Sequence, residues 1–307
     1  MRFWNSKTGV AGVSVASNIT LVVLKITIGL SMGSVSVVSE GIHSAVDLLA
    51  ALIAFFAVRA AGRPADQQHP YGHGKWENVS GTVEALLILV AAGFILYEAG
   101  KKLVYQLPLE SVDLGIALMG LSASMNFLVS RQLMKVAVRT ESVALEADAL
   151  HLSTDVYTSL GVLVGLIIVR VTDIWILDPI IAIGVALIIV KAAVDLTRRS
   201  FNDLLDVRLP EDEEHQIAAV LEEHADEFQE FHELRSRKSG SDRHIDFHLV
   251  VDPRATVEEA HALADHLEEE IKRCFPDSSV TTHVEPGAPE GADSEQPVGD
   301  DGQRRLP

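Results

Sequence analysis

Residues 39–47 read Ser-Glu-Gly-Ile-His-Ser-Ala-Val-Asp, and residues 151–155 read His-Leu-Ser-Thr-Asp. Each segment holds a His-x-x-x-Asp, and each sits inside a long apolar run. On a helix, the i, i+4 spacing puts both side chains on one face, one turn apart. An ionisable group is costly in hydrocarbon, so its presence there marks function. Two such helices facing each other present two imidazoles and two carboxylates. That N2O2 set suits tetrahedral Zn²⁺, and it makes His43, Asp47, His151 and Asp155 the first candidate site.

Outward from these motifs the chain shows six apolar runs, near residues 9–31, 34–58, 78–103, 112–136, 143–169 and 176–197. About 20 apolar residues cross a bilayer core, so an α-helical membrane protein with six transmembrane helices is expected. The first run is too long for a cleavable signal peptide. His43 lies nine residues past the start of its run and His151 eight past the start of its own. At about 1.5 Å per residue, both pairs reach the bilayer midplane, from opposite sides. Loop charge favours both termini in the cytoplasm: ten Lys and Arg flank the runs on that side and three on the other.

The 307 residues are 48% hydrophobic, with a mean hydropathy of +0.23. Residues 1–200 carry 15 basic and 15 acidic side chains; residues 201–307 carry 10 and 28, and so hold the whole net charge of −18. No basic cluster offers itself to nucleic acid. A single cysteine, Cys274, excludes a disulfide scaffold.

The last third reads as soluble. A helix is expected over 211–227, after Pro210 and with acids in its first turn. Strands are expected over 228–236 and 244–251, a second helix over 256–274 and a third strand over 279–285. This α-β-β-α-β order suits a small α+β domain with its helices on one face of a sheet. The expected domains are thus 1–200 in the membrane, 201–286 as a soluble domain, and 287–307 as a disordered acidic tail.

Two further groups carry metal-ligand chemistry. The loop Asp66-Gln67-Gln68-His69-Pro70-Tyr71-Gly72-His73-Gly74-Lys75 offers Asp66, His69 and His73, with Gly72 and Gly74 free to bend around an ion. The last third holds 8 of the 12 histidines. His244, Asp246 and His248 alternate along one strand face, and His283 and Glu285 share a face of the last strand. His232 lies on the first strand and His261 on the second helix; His215, His224 and His266 read as solvated helix positions. Asn18, Lys25, Glu84, Glu98 and Asn126 are single polar residues within the runs, ordinarily interhelical hydrogen-bonding or snorkelling groups.

Together, the segments 39–47, His69-Pro70-Tyr71-Gly72-His73-Gly74-Lys75, 151–155, Asp178-Pro179, Phe231-His232-Glu233-Leu234-Arg235 and Thr282-His283-Val284-Glu285-Pro286 resemble the cation diffusion facilitators. The last two are similar to the cytoplasmic domain of bacterial zinc and ferrous-iron efflux members. The resemblance covers roughly residues 5–286. It implies a homodimeric antiporter in the cell membrane, exporting divalent metal against inward proton flow, with a ferredoxin-like cytoplasmic domain. It implies transport through His43, Asp47, His151 and Asp155, a loop site from Asp66, His69 and His73, and a dinuclear tail site from His232, His248, His261, His283 and Glu285. It also implies a Lys75–Asp206 lock between subunits. Many iron and zinc relatives have Asp where this chain has His43, and His there resembles the zinc-selective branch. The donor set favours Zn²⁺ or Cd²⁺ over Mn²⁺, and Fe²⁺ stays open.

The rival classes are a non-transporting metal sensor or scaffold of the same fold, an exporter preferring Fe²⁺ or Mn²⁺, and a metal-dependent membrane enzyme. The chain lacks a His-Glu-x-x-His run, and four protein ligands leave no position for a catalytic water. A non-enzymatic role is therefore expected. The chain also lacks G-x-x-x-x-G-K-[ST], so ion gradients rather than ATP are the expected energy source.

Overall fold

The computed structural model describes residues 3–32, 35–105, 113–172 and 176–287. The expected acidic tail falls, from residue 288, outside the described residues, as do the side chains of Ser39, Glu40 and Asp178. The chain divides into two compact units, one of residues 1–208 with Arg237–Arg243, the other of Leu209–Ser236 with the chain from His244.

The first unit is helical: α1 (Lys7–Met32), α2 (Val35–Ala61), α3 (Lys75–Tyr105), α4 (Asp113–Thr140), α5 (Val143–Thr172) and α6 (Leu177–Leu204). Each expected run lies within one of these helices or within two residues of it. Four of them, α1, α2, α3 and α6, are long and apolar enough to cross a membrane by length and composition. α1 packs along α2, α3 along α6, and α4 along α5. Alanines such as Ala11, Ala85, Ala137, Ala147 and Ala193 fill the contacts and let backbones approach closely. Val23, Leu30, Phe56, Val90, Phe94, Leu128 and Ile188 point outward and are exposed, an arrangement suited to lipid.

Polar side chains organise one end of this unit. Glu77 accepts from Lys7 Nζ at 3.0 Å and from the Ser142 hydroxyl. Asn78 Nδ2 donates to Asp203 at 2.8 Å, and Asn78 Oδ1 accepts from the Gly240 N–H at 2.7 Å. Glu141, between α4 and α5, pairs with Lys238 and, at 3.0 Å, with Arg243. Burial pushes its carboxyl up, but the two cations outweigh that and hold it below its ordinary 4.5.

The second unit contains α7 (Glu211–Glu223), β1 (Glu230–Ser239) and β2 (Asp242–Val251) except for the tip of their hairpin, Arg237–Arg243, then α8 (Val257–Cys274) and β3 (Ser278–Pro286), in sheet order β1-β2-β3. The expected α-β-β-α-β order is observed. The expected first helix is shorter than read: it stops at Glu223, and a tight turn from His224 to Glu227 replaces its last turn. α8 opens with a capping box, in which the Thr256 hydroxyl accepts from the Glu259 N–H and the Glu259 carboxylate accepts from the Thr256 N–H. On β2, Ile245, Phe247, Leu249 and Val251 point inward while His244, Asp246 and His248 point outward. The inward set packs on Ile217 and Leu221 of α7 and on Leu267 and Ile271 of α8. Fully burying Phe247 alone contributes roughly 1.5–3 kcal/mol. His248 meets Glu285, and the Val251 carbonyl accepts from the Gly287 N–H at 2.8 Å. Both strands therefore advance together, which makes β2 and β3 parallel with α8 as the crossover.

Candidate metal centre

α2 and α5 bring the two His-x-x-x-Asp pairs together. His151 Nε2 lies 3.2 Å from Asp47 Oδ1 across the two helices. His43 Nε2 lies 4.0 Å from Asp47 Oδ1 and 4.0 Å from Asp155 Oδ1. Ligands at about 2.0–2.2 Å around a tetrahedral ion stand roughly 3.3–3.6 Å apart; ligand atoms of His43, Asp47 and Asp155 all lie within 4.8 Å of one another, and His151 joins them through Asp47.

The exposure is lopsided. The side chains of His43 and Asp155 are 56% and 20% exposed, those of Asp47 and His151 only 5% and 9%. The site thus opens on the His43–Asp155 side into a cavity of about 210 Å³, lined also by Lys25, Ser44, Ser122, Asn126, Thr158 and Ser159. Two residues read from sequence as single polar groups belong here. Asn126 Nδ2 donates to Asp155 Oδ2 at 3.2 Å, and Lys25 Nζ donates to Ser44 Oγ at 2.9 Å. Asn126 orients the Asp155 carboxylate, and Lys25 lies in the cavity wall. On the closed side, Glu84 and Asp148 are fully buried. Asp148 escaped the sequence reading, although it lies one helical turn before His151 and so shares its face.

The loop residues Asp66, His69 and His73 also converge. The His69 backbone N–H donates to Asp66 Oδ1 at 2.7 Å and holds that carboxyl below its ordinary value. His69 Nδ1 stands 3.2 Å from Asp66 Oδ1, and His73 Nε2 3.4 Å from Asp66 Oδ2. These spacings fit one shared ion. The glycines have different reasons from the one read in sequence. Gly72 sits at φ +84°, in the left-handed region, but Gly74 is needed for close approach: a Cβ there would lie 2.1 Å from the Ser239 carbonyl oxygen. Lys75 Nζ donates to Asp206 Oδ1 at 2.9 Å within a single chain. That bond holds the Asp206 carboxyl below its ordinary value.

On the outward face of the second unit's sheet, Glu285 gathers three imidazoles. His248 Nδ1 lies 3.0 Å, His232 Nε2 3.4 Å and His283 Nε2 3.7 Å from its carboxylate. Glu233, at φ +51°, adds a carboxylate 3.7 Å from His248 Nε2. His261 is not drawn into this group. It faces Asp265 on its own helix at 3.5 Å.

Residues 11–205 match the family model of the cation efflux transmembrane domain, and residues 209–287 match that of the cation efflux protein cytoplasmic domain. The chain belongs to the cation diffusion facilitator family of membrane cation transporters. It is 38% identical to the uncharacterized transporter sll1263 of Synechocystis, over 83% of this chain and 82% of that one. It is 32% identical to the cation-efflux pump FieF of Shewanella oneidensis, over 89% and 92%. A solved structure of CzrB in its zinc form is 40% identical over 29% of this chain and 98% of that one, with a TM-score of 0.26.

Proposed function

We propose that the chain exports divalent metal, with Zn²⁺ preferred, in exchange for protons, by alternating access to the His43–Asp47–His151–Asp155 site. The observation that carries this reading is the lopsided exposure of a four-ligand set between two helices. In the orientation expected from loop charge, the open side is the outer one, and the described conformation corresponds to the releasing state. Six crossings, cytoplasmic termini and a homodimer complete the reading.

The chemistry follows from the ligands. Neutral imidazole binds Zn²⁺ and imidazolium does not, so protonation of His43 and His151 expels the ion. Carboxylates Asp47 and Asp155 neutralise the cation while it is held away from water. When the site faces the cytoplasm, an arriving ion displaces the protons inward. The loop and tail clusters supply N/O donor sets of the same kind, and bound ions there would set affinity or subunit spacing rather than carry flux.

The test is Zn²⁺, Cd²⁺, Fe²⁺ and Mn²⁺ uptake into proteoliposomes under an imposed pH gradient. Zn²⁺ flux is expected to dominate, to collapse with the gradient, and to be abolished by Asp155→Ala. Wild-type flux from Asp155→Ala would overturn the site, and flux of Fe²⁺ or Mn²⁺ without Zn²⁺ would overturn the metal.

A further inference from the structure

Two histidines that read as solvated positions in sequence, His224 and His266, lie 42 residues apart (266 minus 224), share no motif, and yet meet. α7 ends at Glu223, where the N–H of its C-cap residue His224 donates to the Leu221 carbonyl and the Ala225 N–H donates to the Glu222 carbonyl. The chain then turns tightly, the Glu227 N–H donating to the His224 carbonyl at 2.9 Å. That turn folds the Glu227 carboxylate over the ring, with Oε1 2.7 Å from His224 Nδ1. From α8, His266 presents its ring edge-on, 4.9 Å between centroids at 89°. Each of the three residues offers a ligand atom within 4.8 Å of the other two.

We infer that His224, Glu227 and His266 form a further divalent-cation site on the second unit, taking an ion of the Zn²⁺ class. Two imidazoles and one carboxylate select a borderline transition ion over Mg²⁺ or Ca²⁺, which take oxygen ligands. Glu227 and His266 are exposed while His224 is partly covered, so a water completes a tetrahedron on the solvent side. The backbones that carry the ligands are held by the core: Leu221 lies one turn before His224 and Leu267 directly after His266, both fully buried. The site is therefore preorganised from two elements rather than gathered from one flexible loop. The field favours a cation too. The last carbonyls of α7 point their negative dipole ends at His224, and Glu222, Glu223 and Asp226 surround it in sequence. An ion here ties the end of α7 to the middle of α8 and clamps the helical layer behind the sheet. The inference is independent of the transport reading, since none of these residues belongs to the midplane, loop or sheet-face clusters.

The test is histidine footprinting of the full-length protein in detergent with diethyl pyrocarbonate, read peptide by peptide by mass spectrometry across a ZnCl₂ titration. Zn²⁺ is expected to protect His224 and His266 together, with one midpoint. Losing a ligand costs at least the roughly 10–100-fold in affinity that losing an outer partner costs, so Glu227→Gln should move that midpoint upward for both histidines. It should leave the protection of His232 and His248 unchanged. Equal modification of His224 and His266 with and without Zn²⁺ overturns the site, whatever the other histidines do. So does protection of His224 that persists at the same midpoint in His266→Ala.

Discussion

At the scale of single residues, Asn126 shows how a ligand gains its orientation. Asp155 stands at the open side of the candidate site between α2 and α5, and the amide of Asn126 fixes one of its oxygens at 3.2 Å. Removing such a partner typically costs 10–100-fold in metal affinity. Asn126→Ala is therefore expected to raise the Zn²⁺ concentration for half-maximal flux about tenfold while leaving the saturated rate near wild type. An unchanged concentration dependence in proteoliposomes would remove Asn126 from the site. Glu141 acts outside the membrane helices and through charge. Its carboxyl is held below its ordinary 4.5 by Lys238 and Arg243. Its charged form therefore stabilises the protein above that value, and the contribution is lost as pH falls through the lowered one. Glu141→Gln should lower the melting temperature at pH 7 by the equivalent of about 1 kcal/mol or less, the scale for a half-exposed pair. The gap to wild type should close in acid below the lowered value, and a gap that persists there would show that the charge is not the cause. Neither residue was legible as functional in the sequence, because a lone Asn or Glu acquires its role from partners 29 and 102 positions away.

At the scale of elements, the loop between α2 and α3 separates two uses of glycine. Gly72 lies at φ +84° with open space around it, whereas Gly74 lies against the Ser239 carbonyl. Gly72→Ala should cost about 1–2 kcal/mol, the penalty for a side chain in the left-handed region. Gly74→Ala forces backbone apart and should cost more, at or beyond the roughly 1–3 kcal/mol of overpacking. Thermal melts of the two variants in detergent check the order; equal losses would mean that the close approach is not tight. The elements themselves were largely legible. The six long apolar runs correspond to α1–α6, and alternation along residues 244–251 identified the inward and outward faces of β2. The end of α7 was missed because no glycine or proline stops it. Phe228 and Phe231 pack against the sheet's core, and that tertiary contact ends the helix early.

At the scale of the whole molecule, charge and hydropathy divide the chain. The net charge of −18 falls entirely after residue 200, and two copies of such a domain repel each other until cations offset the acids. Cys274 is exposed and is the chain's one cysteine, so a spin label there reports the separation of two copies in full-length protein. That separation is expected to shorten as Zn²⁺ is added. An unchanged distance would mean that the acids serve solubility alone.

Sequence by itself determined the features that local periodicity and side-chain chemistry dictate. A continuous run of about 20 mostly apolar residues makes a helix suited to lipid, and His-x-x-x-Asp puts two ligands on one face whatever surrounds it. The tertiary structure decided the features that depend on distance in space between residues far apart in the chain. It set His151 against Asp47, gave Gly74 its reason in Ser239, left His261 beside Asp265, and drew His224, Glu227 and His266 to one point. No spacing rule encodes those meetings, because each arises when two separately formed elements pack, and the core that packs them is built from other residues.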